Sequence, residues 1–270
     1  MNTPMPVKFT YPGPGIGYSY HNHSNWSDGA SSMEEMCRAA KKAGLKEFGL
    51  SDHFVIHPDK NEMPVDWALD NQKINDYISS LQQLKCELDD EYFTLRIGLE
   101  VDFFQENPDE IFAELEKYPL DYLIGSVHYV GTFPVDHSAP PWERLSSGEQ
   151  AEICGKYWEK VLDAARCGRF LFLGHLDLPK KFDLIPDMDK KYYDKAVAVL
   201  AAAAETGTAI ELNTSGWYKP CQEEYPSPAI LMAAREKKVP VVVNPDAHDA
   251  AHVDRGFDRA LALLQELGIY

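Results

Sequence analysis

Along the chain, short apolar runs alternate with longer segments in which apolar residues return every three or four positions. The runs read as buried strands: Ile16–Tyr20, Glu47–Leu50, Thr94–Leu99, Tyr122–Val127, Phe170–Leu173, Thr208–Glu211 and Pro240–Val243. The longer segments read as helices: Ser32–Ala43, Trp67–Leu88, Pro108–Lys117, Gly148–Cys167, Asp189–Glu205, Ser227–Lys238 and Asp254–Leu267. In Asp189–Glu205, for example, Ala196, Val199, Leu200 and Ala203 fall on one face of a helix. Three helix stops are marked by glycine: Gly44 after Lys41-Lys42, Gly168 after Arg166, and Gly207 after Thr206. Repeated strand-then-helix units predict an α/β fold with a parallel sheet covered by helices. Seven such units with no second composition block favour a closed or nearly closed barrel, with a doubly wound open sheet as the alternative.

Composition narrows the class without changing that architecture. At 270 residues the chain suits one barrel domain spanning 1–270, with 1–15 as an N-terminal extension. The 44% hydrophobic and 26% charged content is that of a globular protein. No run approaches the roughly 20 apolar residues of a membrane span, and the first residues lack the charged-then-apolar pattern of a signal peptide. Five scattered cysteines, never paired as C-x-x-C, read as free thiols in a reducing compartment. The expectation is therefore a cytoplasmic protein with no membrane partner. A net charge of −17 argues against a nucleic-acid partner, because it repels phosphate backbones. A small anionic substrate stays compatible, since bound cations can reverse the potential locally. The oligomeric state is not legible.

The placement of the histidines carries the chemistry. Of nine, six stand at or just beyond the C-terminal end of an expected strand: His21 and His23, His53, His128, His175 and His248. The third strand ends at Glu100, Asp246 lies two residues before His248, and Asp28 follows His23 in the same loop. Catalytic groups converge on that rim of a (β/α) barrel. A single histidine after a strand is usually no more than a hydrogen-bonded rim residue. His21-Asn22-His23 is a stronger pattern, because alternate residues of an extended chain point the same way and can share an ion. Asp246-Ala247-His248 has the same spacing, and the two oxygens of Glu100 could bridge two cations. His57, His137 and His252 sit in loops and read as solvated or substrate-facing. Asp52, next to His53, reads as a partner that orients an imidazole rather than as a ligand, and Asp177, two beyond His175, is open to the same two readings.

Nine nitrogen and oxygen ligands without a thiolate suit Zn, Mn or Fe. Nine is too many for one ion and right for two or three. Such sites hydrolyse phosphate esters, because the ions arm a water and offset charge on the attacking and leaving oxygens. A structural zinc site would be a closed cage of four ligands.

The motifs His21-Asn22-His23 with Ser27-Asp28-Gly29, Ser51-Asp52-His53, Gly98-Leu99-Glu100-Val101-Asp102, Gly125-Ser126-Val127-His128, Gly174-His175-Leu176-Asp177 and Asp246-Ala247-His248 resemble those of the PHP (polymerase and histidinol phosphatase) superfamily. Glu211-Leu212-Asn213-Thr214-Ser215-Gly216 followed by Tyr225-Pro226-Ser227-Pro228 resembles its histidinol-phosphatase branch. Two positions depart from the pattern: Gly29 stands where some histidinol phosphatases carry histidine, and Asn244-Pro245 precedes Asp246 where Gly-Ser is usual. The resemblance implies a distorted (β/α)7 barrel with a trinuclear site. One ion would take His21, His23, Glu100 and Asp246, a second Glu100, His128 and His175, and a third Asp28, His53 and His248. It also implies hydrolysis of L-histidinol phosphate to L-histidinol and phosphate, a step of histidine biosynthesis. His53, Asp28 and Glu100 are the candidate catalytic residues, and Lys180, Lys181 and Arg255 the candidate phosphate clamp.

Three other readings are weighed. A phosphoesterase acting on nucleotides or another small phosphate ester remains the alternative, although a nucleic-acid enzyme should show a basic groove or an added domain. A non-catalytic scaffold predicts an eroded ligand set, yet all nine positions hold competent types. Hydrolysis of a C–N bond on a related barrel often uses a carbamylated lysine, and no lysine ends a strand in these motifs.

Overall fold

The computed structural model describes residues 17–59 and 65–269. The expected extension 1–15, and Ile16 of the first expected strand, lie outside the described residues. Seven strands follow one another around the sheet in chain order: β1 (Tyr18–Ser19), β2 (Glu47–Leu50), β3 (Thr94–Asp102), β4 (Tyr122–Ser126), β5 (Phe172–Leu173), β6 (Ala209–Asn213) and β7 (Val241–Asn244). Every pairing among them is parallel. After two irregular residues, β2 resumes as His53–Phe54 on β3, with His53 opposite Glu100. The barrel closes between its first and last strands through other bonds. Tyr20 N–H donates to Asn244 Oδ1 (2.8 Å) and His23 N–H to the Ala247 carbonyl (2.8 Å), and Asn22 bridges Ala247 in parallel.

Among the described residues, seven longer helices cover the sheet: α1 (Met33–Lys42), α2 (Ile74–Leu88), α3 (Pro108–Leu115), α4 (Ser147–Cys167), α5 (Tyr193–Thr206), α6 (Pro228–Lys237) and α7 (Phe257–Glu266). Capping boxes begin α1 (Ser32 with Glu35) and α4 (Ser146 with Glu149). The three expected glycine stops all adopt positive φ, at 82° for Gly44, 62° for Gly168 and 72° for Gly207, a conformation nearly free of cost only for glycine. In α5 the buried face includes Ala196, Val199, Leu200 and Ala203, as the spacing predicts. Two expected helices are shorter. Asp70 caps a 3₁₀ turn at Asn71–Lys73, so α2 starts at Ile74 and Trp67 lies in a loop. A separate turn at Met188–Lys191 precedes α5.

Two apolar clusters divide the interior. The larger lies between helices and sheet, while Tyr20, Tyr122, Ile124, Leu171, Phe172, Ala209 and Val242 form the smaller. Tyr122 is fixed there by donating its hydroxyl to the Tyr20 carbonyl (2.5 Å), with the two rings edge to face at 5.8 Å. Gly49 and Gly98 leave room for its ring, which a Cβ at either position would strike. Gly98→Ala is therefore expected to destabilise the chain by about 1–3 kcal/mol, the usual cost of overpacking. Equilibrium urea unfolding measures it, and an unchanged midpoint would mean the ring has freedom the packing denies.

Candidate metal centre

The tyrosine layer is a floor for what stands above it. On β3 alternate residues share a face, so Gly98, Glu100 and Asp102 point together. Glu100 stands one step above the glycine that admits Tyr122. His53 faces Glu100 in register from β2, and His128 and His175 follow β4 and β5 within two residues. His21 and His23 continue from β1, and Asp246 and His248 from β7. Asp246 takes φ +50°, a left-handed conformation that Asp tolerates better than most residues. Asn213 Nδ2 (3.1 Å) and Ser215 Oγ (3.3 Å) donate to its Oδ2, leaving Oδ1 facing His23 Nε2 (3.3 Å) and His21 Nε2 (3.6 Å).

All nine expected ligand positions come together, in overlapping groups: His21–Glu100–His175, His53–Glu100–His128, His21–His23–Asp246 and His23–Asp28–His53–His248. His23 lies in the Asp28 group as well as beside His21 and Asp246, and His53 also joins Glu100 with His128. Glu100 lies at the middle. Its Oε1 accepts from His175 Nε2 (3.0 Å) and lies 3.5 Å from His128 Nε2. Its Oε2 is 2.8 Å from His53 Nδ1, 3.2 Å from His21 Nε2 and 3.5 Å from His23 Nε2. Asp28 Oδ1 lies 3.3 Å from His248 Nε2 and 3.5 Å from His53 Nε2. At Gly29 a Cβ would meet the His23 carbonyl oxygen at 2.5 Å, so this loop has no space for a histidine there.

Several of these buried atoms, although close, have no hydrogen-bond partner: Glu100 Oε2, His21 Nε2, both His23 nitrogens and His175 Nδ1. Stranded buried lone pairs are costly unless something absent from the side chains satisfies them. Nitrogen and oxygen donors bound at about 2.0–2.2 Å lie roughly 3.0–3.5 Å apart around a cation, which is the spacing seen here. The residues therefore fit divalent ions, and the donor set of imidazoles and carboxylates fits Zn, Mn or Fe.

A second layer of side chains aims the first. Glu211, fully buried, accepts from His21 Nδ1 (2.7 Å), the His175 N–H (2.9 Å), Asn213 Nδ2 (3.0 Å) and Asn244 Nδ2 (3.0 Å). Asp102 pairs with His128 at both N–H (3.0 Å) and Nδ1 (3.2 Å). Sequence reasoning assigned neither carboxylate a role. A charged residue inside an apolar strand was the available sign. It offered such roles instead to Asp52 and Asp177, and these need correcting. Asp52 accepts from Ser24 N–H (2.7 Å), Ser24 Oγ (2.8 Å) and Ser27 Oγ (2.5 Å), holding the loop that leads to Asp28. Asp177 receives Ser227 N–H and Lys180 Nζ, both at 2.9 Å.

Without added cations the side chains balance their own charge. Burial opposes a proton on His21, yet Glu211, Glu100 and Asp246 hold its pKa well above the usual imidazole range. Burial likewise opposes protonation of His128 and His248, but Asp102 and Glu100 raise the first to about 10, and Asp28 and Asp246 raise the second to about 9. His23 goes the other way: burial, reinforced by His53 and His248, lowers it to about 3. Although burial penalises their charge, Glu100 is held ionised by His21, His53 and His128, and Asp246 by His21, His23 and His248. Bound cations would take over the role of those protons.

The centre forms the base of a cavity of about 590 Å³. Of the expected phosphate-clamping residues, Lys181 and Arg255 line it, as do His137 and His252. Lys181 Nζ is already bound to the Asp136 carbonyl (2.7 Å) and carboxylate (3.0 Å), and the Arg255 guanidinium lies 4.1 Å from the Tyr218 ring centroid. Lys180 does not line the cavity, for its ammonium is buried between Asp177 (2.9 Å) and Glu223 (3.1 Å). His57 is buried beside Gly131, at 3.2 Å from its carbonyl oxygen. Trp67, Tyr129 and Tyr225 also line the cavity, none of them anticipated.

Residues 19–215 match the PHP domain family model. The chain is 34% identical over 237 residues to a protein of Deinococcus radiodurans named "Probable histidinol-phosphatase", covering 87% of this chain and 86% of that one. Against the histidinol-phosphatase of Bacillus subtilis it is 27% identical over 246 residues, 85% of this chain and 91% of that one. The crystal structure of histidinol phosphate phosphatase from Lactococcus lactis, complexed with zinc, L-histidinol and phosphate, matches with a TM-score of 0.76 at 22% identity over 93% of each chain. That likeness is one of fold.

Proposed function

Because the chain belongs to the PHP domain family, we propose that it is a metal-dependent phosphomonoesterase that hydrolyses L-histidinol phosphate to L-histidinol and inorganic phosphate. One observation carries the chemistry: nine imidazoles and carboxylates, brought from the ends of the barrel strands and their loops, gather at the base of a cavity, and buried atoms of His21, His23, Glu100 and His175 among them lack a partner. The relatives' names supply the substrate. The reading includes two or three ions of Zn, Mn or Fe held by His21, His23, Asp28, His53, Glu100, His128, His175, Asp246 and His248. When bound, such ions polarise phosphoryl oxygens and make a water acidic enough to attack phosphorus near neutral pH.

The chain's own residues have separable tasks. Glu100 spans the inner groups and fixes their spacing. Glu211 and Asp102 fix the ring planes of His21 and His128, so the donor set is arranged before substrate arrives. Asp28 and His53, 3.5 Å apart, would position a water that protonates the departing alkoxide. Lys181 and Arg255 supply positive charge to the phosphate from the cavity wall. Residues 1–270 act in this reading as one barrel domain. Its location is the cytoplasm, in keeping with five unpaired cysteines and with no described helix long and apolar enough to cross a membrane.

Steady-state kinetics of metal-loaded protein on L-histidinol phosphate beside a panel of phosphomonoesters tests the reading. A preference of at least ~100-fold in kcat/KM is expected, roughly 2.7 kcal/mol of transition-state discrimination. Equal rates across the panel would discard the substrate, and no hydrolysis of any ester would discard the reaction.

A further inference from the structure

The cavity has two chemically different sides. Lys219, His252 and Arg255 reach it from the loops after β6 and β7. Trp67, Tyr129 and Pro134 reach it from the loops after β2 and β4. In a barrel whose strands run in chain order, β2–β4 and β6–β7 stand across the mouth from each other. Asp246 and Asp249 also line the β6–β7 side, where Lys219 and Arg255 are the charges that suit phosphoryl oxygens. The other side adds flat aromatic surface beside Asp136 and His137.

That surface is held in place. Trp67 Nε1 donates to Tyr129 Oη (3.1 Å), and the rings lie nearly parallel, 28° apart with centroids at 6.2 Å. Edge-to-face contacts join the Trp67 ring to His53 (4.7 Å, 84°) and His128 (5.7 Å, 77°). The indole thus stands directly beside two side chains of the centre. An ester whose phosphorus sits over the centre, with its oxygens turned toward Arg255, directs its leaving oxygen and the attached carbon chain toward Trp67. Tyr225, another aromatic residue of the lining, packs against His175 (6.5 Å) and carries the Lys180 ammonium near its ring (5.5 Å).

We propose that Trp67, backed by Tyr129, is the specificity-determining residue for the alcohol half of the substrate, favouring alcohols that carry a planar ring. The assignment rests on the phosphatase reading and adds an orientation to it: phosphate toward β6–β7, ring toward β2–β4. Ring stacking on a preformed aromatic face favours a flat group over an aliphatic one of similar polarity. It acts mainly through binding, so the effect should fall on KM more than on kcat.

The test compares L-histidinol phosphate with 2-aminoethyl phosphate, which keeps an ammonium group and lacks the ring, in wild type, Trp67→Ala and Trp67→Phe. In Trp67→Ala the ratio of kcat/KM for the ring-bearing ester over the ring-free one should fall about 10-fold, mostly through KM. Trp67→Phe should recover most of that ratio. Metal content per chain, measured alongside, reports whether His53 and His128 have kept their places. If both esters fall in equal proportion, Trp67 merely supports the centre and the assignment is overturned. An unshifted ratio in an active Trp67→Ala overturns it as well. A wild-type chain inert toward both esters overturns the phosphatase reading and this assignment with it.

Discussion

Glu100→Gln is expected to lower kcat/KM by about 10³-fold or more, and to reduce the bound metal by at least one ion per chain. The magnitude is that of removing a principal source of transition-state charge stabilisation. The physical reason is position. One buried carboxylate lies within 3.5 Å of ring nitrogens from His21, His23, His53, His128 and His175. An amide of the same shape keeps one acceptor, loses the charge and turns an NH2 toward imidazole nitrogens. Elemental analysis of dialysed protein together with steady-state kinetics reads both effects. Full metal content with wild-type turnover would show that Asp246 and Asp28 suffice without it.

Glu211→Gln should weaken metal affinity by about 10- to 100-fold although Glu211 faces away from the inner lone pairs. Its two oxygens accept four donors, from His21, the His175 backbone, Asn213 and Asn244. An amide has one oxygen. Whichever way it turns, its NH2 meets a pair of donors, and each orphaned buried donor costs about 1–3 kcal/mol. The melting temperature of metal-free protein should therefore fall together with metal affinity. Asp102→Asn, which disturbs His128 alone, should give a smaller drop in both. Titration with Zn under a competing chelator, with thermal melts of the same samples, makes the comparison. Equal and small losses in the two variants would assign the aiming of the rings to the backbone.

The sequence reveals the donors more readily than what holds them. Six histidines and Glu100 stand out because strand ends converge in a barrel, and a polar residue closing an apolar run is conspicuous. Glu211 closes an apolar run equally well, and what distinguishes it from Glu100 is that four donors occupy its two oxygens, which strand periodicity does not encode. Asp52 fails as a partner of His53 for a simple reason: neighbours on extended chain point to opposite sides, and Asp52 turns to Ser24 and Ser27. Asp177 lies two beyond His175, but the chain enters a 3₁₀ turn at Leu178, and alternation ends there. The same turn carries Lys180 into its pairing with Asp177 and Glu223. Trp67 is hidden by continuity, because apolar spacing runs from it into α2 while the backbone becomes helical only after Asp70.

Where β1 meets β7, the backbone has little to hold on to. The first strand is two residues long, and the ring is completed by His21–His23 lying against Ala247. Four of the donors sit on that seam, two from each edge, so a captured cation would act as a clasp on a join with few backbone bonds. A partly made chain could not own the clasp before Asp246 and His248 had left the ribosome. Uptake of a cation at that seam, unlike uptake by the groups around Glu100, would then report the completion of folding, and ligands that bind only the finished form add their binding energy to its stability.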